Sequence, residues 1–174
     1  MSLLGMLMEA KNAVQYRFAP AVDLAIINRW LSEAHLPHDD LASQLPRFIV
    51  AHEGEVIVGV IGLEVYGHIG LLRSLVVRSD VRRRGIGREL VERLCEHAAV
   101  QGVQDLYLLT VDAKDYFARR GFKRTERALA PTAIRTTRQF SELCPSSAVL
   151  MHRSLVSQGT STTSYPDMSQ SAPS

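Results

Sequence analysis

The sequence predicts one mixed α/β domain with a mostly antiparallel central sheet and flanking helices. Three β-branched, apolar runs follow one another across two short turns, which is the pattern of an antiparallel meander. A later segment has apolar and small residues in i, i+4 rows, the pattern of a helix with one buried face. At 174 residues, 46% of them hydrophobic, the chain has the size and composition of a single domain with a sizeable core.

The N-terminal half is predicted to contain a strand, two helices and the three strands of the meander. Each element is assigned from its apolar period and from the Pro, Gly and Asp residues that bound it. In chain order these elements are a strand at Val14–Phe18, a helix that Pro20 and Asp23 open, a short helix at Leu41–Leu45, and strands at Phe48–His52, Val56–Tyr66 and Ile69–Val77.

The C-terminal half continues with helices and strands and ends in a polar segment. Residues 156–174 are rich in Ser and Thr, nearly uncharged and without an apolar period, which predicts a disordered tail after a domain at 14–155. The elements before the tail are a helix at Gly85–Val100, a strand at Asp105–Thr110, a helix at Ala113–Arg120, a short helix that carries Arg135 and Arg138, and a strand at Ala148–Ser154.

Composition excludes several classes of function. The 20 Lys and Arg residues outnumber the 18 Asp and Glu residues by too little for bulk nucleic-acid binding. Cys95 and Cys144 cannot form a disulfide framework, and no Cys or His cluster has metal-ligand spacing, so no metal is expected. No apolar run approaches the roughly 20 residues that span a bilayer, and no signal peptide is recognisable. We therefore expect a cytoplasmic protein without membrane or nucleic-acid partners.

The strongest functional signal is the segment LRSLVVRSDVRRRGIG at Leu72–Gly87, in which a strand runs into an Arg- and Gly-rich turn before a helix. The N-terminus of a helix leaves backbone N–H groups unpaired and carries partial positive charge. Residues 83–87 can therefore cradle a pyrophosphate, and Gly85 and Gly87 allow it to approach the backbone closely. The spacing is not GxGxxG, because Leu90 occupies the position of the third glycine. An ordinary tight turn with solvated arginines is the alternative.

This loop resembles the acetyl-CoA loop of the GNAT superfamily of N-acetyltransferases, whose pattern is Arg or Gln, two residues, Gly, one residue, and Gly or Ala. Arg82, Gly85 and Gly87 match that pattern. The strand LYLLT at Leu106–Thr110 and the segment YFARRGF at Tyr116–Phe122 match a second element of the superfamily. The resemblance implies transfer of an acetyl group from acetyl-CoA to a small-molecule amine.

The resemblance also implies which residues bind the cofactor. In the superfamily, backbone N–H groups at a bulge on the fourth strand bind the thioester carbonyl, and this position corresponds to residues 75–77. A tyrosine four residues before the glycine of YFARRGF usually protonates the thiolate, but Phe117 stands there. Tyr116 is about 100° away around the helix, so we expect it to pack instead. The predicted cofactor-binding set is Leu75, Val76, Val77, Arg82, Arg83, Arg84, Gly85, Ile86, Gly87, Arg88 and Phe117.

Two residues are candidates for the base that accepts the proton of the amine. Glu64 interrupts the apolar strand next to the proposed cofactor strand, and a desolvated carboxylate can act directly or through water. The alternative is that Glu64 is a rim residue paired with an arginine. His68 lies in the turn between two strands, and imidazole is a common base near neutral pH. The alternative for His68 is an exposed turn residue.

Arg73 occupies the strand position where many relatives that act on peptide amines place a carboxylate, which favours an anionic acceptor. A planar guanidinium can hold a carboxylate, a phosphinate or an arsinate with two parallel hydrogen bonds. The alternative is a structural ion pair between Arg73 and Glu64. Cys144 is expected to be a wall of the pocket and not a nucleophile. The predicted substrate-binding set is Arg73, Ser74, Thr110, Arg135 and Cys144.

More narrowly, the segments LRSLVV, YFARRGF and APTAIRTTRQFSELCPSSAVLM resemble the ArsN-type arsenic-resistance N-acetyltransferases and, more loosely, N-acetylglutamate synthases. This resemblance implies acetylation of the α-amine of a small anionic amino acid, or of an arsenical or phosphinate analogue, in arsenic or toxin resistance. Two alternatives stay open: acetylation of a metabolic amino acid such as glutamate, and an acyl-CoA-binding module without catalysis. Many relatives dimerise, so a homodimer is open too.

Overall fold

Seven strands form one sheet on which the helices pack. The structure is a computed structural model that describes residues 13–39, 41 and 47–156. The strands are β1 (Val14–Phe18), β2 (Phe48–Glu53), β3 (Val56–Tyr66), β4 (Ile69–Val77), β5 (Asp105–Thr110), β6 (Lys123–Thr125) and β7 (Val149–Ser154). Their order across the sheet is β1-β2-β3-β4-β5-β7-β6, and β4 and β5 are the one parallel pair in the described sheet. The predicted mixed, mostly antiparallel fold is confirmed.

Four helices flank the sheet, and a π-helical turn at Gln139–Leu143 precedes β7. The helices are α1 (Leu24–Glu33), α2 (Ile86–Val100), α3 (Lys114–Ala118) and α4 (Thr132–Arg135). Among these helices, none is long and apolar enough to cross a membrane.

Helix α3 is shorter than the predicted helix at Ala113–Arg120. After Ala118 the chain tightens, since the N–H of Gly121 bonds to the carbonyl three residues back, and it leaves through Gly121 at φ +81°. The predicted short helix that carries Arg135 and Arg138 ends at Arg135, and Arg138 instead precedes the π-helical turn. Other boundaries in the described residues agree within one or two residues. The predicted helix at Leu41–Leu45 lies outside the described residues except for Leu41, and so does the predicted tail except for Val156.

Both faces of the sheet are buried by side chains that alternate along β2. Ile49 and Ala51 pack in the cluster that α2 covers, whereas Phe48 and Val50 pack in the cluster that α1 covers. Leu90 of α2 is fully buried in the first cluster. A third cluster packs α4 against β4 and β7 through Leu71, Ala130, Ile134 and Leu150.

Strands β4 and β5 diverge near their C-terminal ends. The last paired residues are Leu72 and Leu108, although β4 continues for five residues and β5 for two. On its other side β4 has a bulge, because Ser74 and Leu75 together lie opposite Ile61 of β3. The backbone of β4 that faces β5 therefore has no strand partner beyond Leu72, and the space between the two strands opens into a cleft.

Gly62 of β3 is expected to be sensitive to a single methyl group. In Gly62→Ala the new Cβ would lie 2.5 Å from the ring of Phe48, so the free energy of unfolding should fall by about 1–3 kcal/mol. Val56→Thr, at an exposed position of the same strand, is the control and should change it by less than about 0.5 kcal/mol. Urea unfolding measures both variants, and equal stability would contradict the close contact.

Candidate active site

The cleft between β4 and β5 has a volume of about 850 Å³. At one end it is lined by the loop after α1 and by the π-helical turn, through Leu36, Pro37 and Gln139. At the other end it is lined by the loop before α2 and by α3. We call these the Arg73 end and the Gly85 end, after the charged residue and the glycine that line them.

The backbone at the Gly85 end is shaped for an anion. Arg83 and Gly85 adopt left-handed φ values of +69° and +82°, a conformation that can turn nearby N–H groups toward one point. Gly85 is the N-cap residue of α2, and no side chain caps this helix. The unpaired N–H groups of the first turn, and the positive end of the helix dipole, therefore belong to residues that line the cleft.

Ten of the eleven predicted cofactor residues line the cleft, and Arg84 does not. The guanidinium of Arg84 instead bonds to Glu53 at 2.6 Å on the exposed side of the loop. Arg82 donates from Nε to the carbonyl of Val77 at 3.1 Å and so ties the loop to the end of β4. The bulge lies at Ser74–Leu75, one residue earlier than expected, because Ser74 takes the left-handed conformation at φ +61°.

A buried ion pair forms the Arg73 end. Arg73 and Glu64 are only 3% and 5% exposed, and Arg73 Nη1 lies 2.5 Å from Glu64 Oε1. Glu64 also accepts hydrogen bonds from the hydroxyl of Tyr66 at 2.5 Å and from Gln139 Nε2 at 3.3 Å. Arg73 donates from Nη2 to the carbonyl of Pro37 at 3.1 Å. The ion pair that the sequence left as an alternative is thus present.

The ion pair changes the interpretation of Glu64. Its carboxylate does not line the cleft, whereas Arg73 does, and it accepts hydrogen bonds from three side chains. A general base must reach the proton that it removes, directly or through one water. We therefore correct the predicted role of Glu64 from a base to a positioning residue that holds the guanidinium of Arg73.

His68 is also misplaced for a base. It lies in the turn between β3 and β4, where its carbonyl accepts from the N–H groups of Gln104 and Asp105. A strand rises about 3.3 Å per residue, so the five residue steps from His68 to Arg73 correspond to about 16 Å. The prediction of His68 as a base is wrong, because the turn is at the far end of β4 from the cleft.

Three other predicted substrate residues line the cleft beside Arg73: Ser74, Thr110 and Cys144. Ser74 Oγ accepts from Arg73 Nε at 3.3 Å, and Thr110 Oγ1 accepts from the N–H of Ala113 at 3.0 Å. Both hydroxyls therefore help to fix the walls of the cleft.

The thiol of Cys144 is kept protonated by its surroundings. Burial raises the pKa of Cys144, and the positive charges of Arg127 and Arg73 offset that rise only in part. A protonated thiol is a poor nucleophile. Cys144 lines the cleft, as expected for a wall residue.

Arg135 does not belong to the site. It is exposed on α4, where its guanidinium donates to Thr132 Oγ1 at 3.4 Å, and it does not line the cleft. Its neighbour Ile134 is fully buried under the sheet, which turns Arg135 to the surface. The prediction that Arg135 binds the substrate is wrong for this reason.

Tyr116 and Phe117 both line the cleft from α3. Phe117 is buried, and its ring meets that of Phe122 edge-on with 5.7 Å between centroids. Tyr116 packs against the core as expected, and its hydroxyl also reaches the loop, where a Cβ on Gly87 would lie 2.6 Å from it. Burial raises the pKa of Tyr116, and Arg120 opposes that rise.

Several residues that line the cleft were not predicted. Arg120 lies four residues after Tyr116 in the YFARRGF segment, so helical spacing alone could have found it. Asp112 lies two residues after the end of β5. Pro37 comes from a segment without a motif, and Gln139 lies in the segment APTAIRTTRQFSELCPSSAVLM, in which nothing singles it out. No group of His, Cys, Asp or Glu side chains in the described ranges could hold a metal ion.

A parallel strand pair that separates beside a bulge, with an uncapped Arg-Gly helix start at the opening, defines the acetyltransferase fold of the GNAT type. Family comparison agrees, since residues 44–124 match the acetyltransferase (GNAT) domain. The chain therefore has the fold of the GNAT acetyltransferases, and the domain match covers its central part.

Two curated proteins are similar over about half of this chain. An uncharacterized N-acetyltransferase of Chlorobaculum tepidum is 33% identical over 88 residues, which are 50% of this chain and 56% of that protein. An amino-acid acetyltransferase of Photorhabdus laumondii is 27% identical over 95 residues, which are 53% of this chain and 21% of that protein. The match thus spans only about half of the first relative and about a fifth of the second.

Solved structures share the fold. The N-acetylglutamate synthase of Neisseria gonorrhoeae, complexed with coenzyme A and N-acetyl-glutamate, has a TM-score of 0.72 and 20% identity, over 83% of this chain and 36% of that chain. A Mycobacterium tuberculosis protein in complex with CoA and NLQ has a TM-score of 0.70 and 22% identity, over 82% of this chain and 99% of that chain. At these identities the likeness concerns the fold alone.

Glu64→Gln is expected to lower the free energy of unfolding by about 3–5 kcal/mol, because it leaves the buried Arg73 without its counter-charge. Glu33→Gln removes one partner of the exposed Arg29–Glu33 pair and should cost less than about 1 kcal/mol. Denaturant unfolding measures both variants. The double variant Glu64→Gln, Arg73→Gln should lose less than the sum of its single changes, and strict additivity would show that the two residues do not interact.

Proposed function

We propose that the protein is an acetyl-CoA-dependent N-acetyltransferase whose acceptor is the α-amine of a small amino acid, or amino-acid analogue, with an anionic group. The position of Arg73 carries the proposal. Arg73 lines one end of the cleft, and its buried guanidinium is held by Glu64 and by the carbonyl of Pro37. A fixed, planar cation in a buried site favours a carboxylate, phosphinate or arsinate over a second amine.

The opposite end of the cleft fits acetyl-CoA. The left-handed residues Arg83 and Gly85, together with the uncapped start of α2, suit a pyrophosphate. The backbone of β4 beyond Leu72, which has no strand partner, suits the amide groups of a pantetheine arm. When bound, acetyl-CoA supplies an acetyl thioester whose carbonyl carbon an amine can attack.

The bulge on β4 lies between the two ends and supports the reaction through its backbone. Its extra residue is not used in the ladder with β3, and we propose that an N–H group at Ser74–Leu75 polarises the thioester carbonyl. Donors fixed in this way need no reorganisation during the reaction. Because burial raises the pKa of Cys144, the amine nitrogen attacks the thioester carbon directly, the C–S bond breaks, and the proton lost by the amine passes through water to the departing thiolate, so that CoA leaves as the thiol.

The anionic group of the acceptor decides the biological role. We propose arsenic or toxin resistance, with an arsenical or phosphinate analogue as acceptor. Acetylation of glutamate or a similar metabolic amino acid is the second candidate, and it is favoured by the similarity to an amino-acid acetyltransferase and to the fold of an N-acetylglutamate synthase. A cytoplasmic location is part of the proposal, supported by two cysteines that are both free.

Release of the CoA thiol from acetyl-CoA tests the acceptor class. The panel contains glutamate, neutral and basic α-amino acids, phosphinate and arsinate analogues of glutamate, and a peptide N-terminus. We expect turnover of the anionic amino acids and analogues, and none of the peptide. Preference for the analogues supports resistance, whereas preference for glutamate supports the second candidate. Binding of acetyl-CoA without turnover of any amine would contradict the proposal and support a non-catalytic acyl-CoA-binding module.

Arg73→Lys in the same assay tests the observation that carries the proposal. An ammonium keeps the charge but cannot form two parallel hydrogen bonds, so KM for the anionic acceptor should rise at least about tenfold while the affinity for acetyl-CoA holds. Arg78→Lys, in an exposed pair with Asp80 just after β4, is the matched control and should behave as the wild type. An unchanged KM in Arg73→Lys would show that Arg73 does not bind the acceptor.

Gly85→Val is expected to abolish binding of acetyl-CoA in calorimetry, because its side chain would project into the space of the pyrophosphate. Gly102→Val is a matched control. Both glycines have φ near +80°, and at both a Cβ would meet nothing within 4 Å, so the backbone strain is the same. Of these two glycines, Gly85 lines the cleft and Gly102 does not. Equal affinities of the two variants would reject the placement of the phosphate site.

A further inference from the structure

The α3 side of the cleft carries two polar groups without hydrogen-bond partners. The hydroxyl of Tyr116 and Nε of Arg120 are both buried, and neither makes a hydrogen bond of good geometry within the described residues, although Arg120 is near enough to oppose the rise in the pKa of Tyr116. Both side chains line the cleft at the Gly85 end. Such groups are rare in folded proteins because a buried donor that loses water without gaining an acceptor destabilises the fold. Two of them side by side therefore point to an acceptor that comes from outside the chain.

The two residues form one rigid unit. The guanidinium of Arg120 lies over the ring of Tyr116, 3.4 Å from its centroid. Arg120 Nη1 also donates to the main-chain carbonyl of Tyr116 at 2.6 Å. These contacts hold the phenol in one orientation and place a positive charge against it.

The Tyr116 hydroxyl is directed at the loop and not at the Arg73 end. A Cβ on Gly87 would lie 2.6 Å from this oxygen and 3.5 Å from Val77. Gly87 is the second residue of α2, in the turn whose free N–H groups suit a pyrophosphate. The absence of a side chain at position 87 thus gives the hydroxyl its place beside the anion site.

We propose that Tyr116 is a cofactor-specificity residue whose hydroxyl donates a hydrogen bond to the pyrophosphate of acetyl-CoA, with Arg120 as its positioning residue. The proposal rests on the proposed use of acetyl-CoA. A phosphate oxygen is a strong acceptor and satisfies a donor that is otherwise unpaired, and the charge of Arg120 strengthens the bond. The pair makes the site prefer a thioester that carries phosphates over one that carries the pantetheine arm alone.

Tyr116→Phe separates this role from simple packing, because it removes the hydroxyl and keeps the ring. Without ligand, the variant should be more stable than the wild type, with a thermal midpoint raised by about 2–4 °C, since an unpaired buried group is gone. With ligand, its affinity for acetyl-CoA and for 3′-dephospho-acetyl-CoA should fall by about tenfold in calorimetry. Its affinity for S-acetylpantetheine, measured by competition, should be unchanged.

Two further variants complete the design. Tyr107→Phe makes the same chemical change at a tyrosine on β5 that does not line the cleft, and it should alter none of the three affinities. Arg120→Lys keeps the charge but loses the planar stacking, so it should weaken binding of the same two phosphate-bearing compounds, by less than Tyr116→Phe does.

Several results would overturn the assignment. An unchanged affinity of Tyr116→Phe for acetyl-CoA would show that the hydroxyl does not contact the cofactor and that Tyr116 only packs. A loss confined to acetyl-CoA would move the contact to the 3′-phosphate, and an equal loss for all three compounds would move it to the pantetheine arm. A lower kcat at unchanged affinity would assign the hydroxyl to the thiolate. Failure of the wild type to bind acetyl-CoA would overturn the proposed function itself, a result distinct from the first four.

Discussion

The site of this protein depends on one interruption of hydrogen bonding, the end of the β4–β5 ladder after Leu72 and Leu108. Unpaired backbone groups are costly inside a protein, so neighbouring strands normally stay paired along their length. Here the bulge at Ser74–Leu75 bends β4, and the two strands separate. The separation leaves a backbone edge open to ligands, places Arg73 at one end of the resulting cleft, and brings the start of α2 to the other.

The Arg73–Glu64 pair is the second constraint on the site. Burying two charges is expensive, and their attraction repays that cost only with good geometry and additional hydrogen bonds. Tyr66, Gln139 and Pro37 supply those bonds from three different segments of the chain. The outcome is a guanidinium whose direction is fixed before any ligand arrives, which is the property that selective recognition of an anionic acceptor requires.

The two glycines of the loop serve different purposes. Gly85 supplies a left-handed backbone at φ +82°, which lets the chain turn into α2, whose first-turn residues line the cleft. Gly87 lies at the second position of the helix and leaves room for the hydroxyl of Tyr116. One glycine is thus required by the backbone, and the other by a side chain from a separate helix.

Local sequence was sufficient for most elements of the fold and for the cofactor loop. Except for β6, which has no apolar residue, the strands and α2 follow from apolar periods in short segments, and the loop is predicted from Gly85 and Gly87 at the start of a helix. The partners and directions of individual side chains depended on contacts between distant segments. The bond between Gln139 and Glu64 joins residues 75 positions apart, and it helps turn a candidate base into a support for Arg73. Tyr116 was likewise predicted to pack from its position on α3. The place of its hydroxyl beside Gly87 depends on how α2 lies against α3, which the local sequence does not show. Periodicity specifies which face of an element is buried, but the neighbour met there is set by register and packing across the whole sheet.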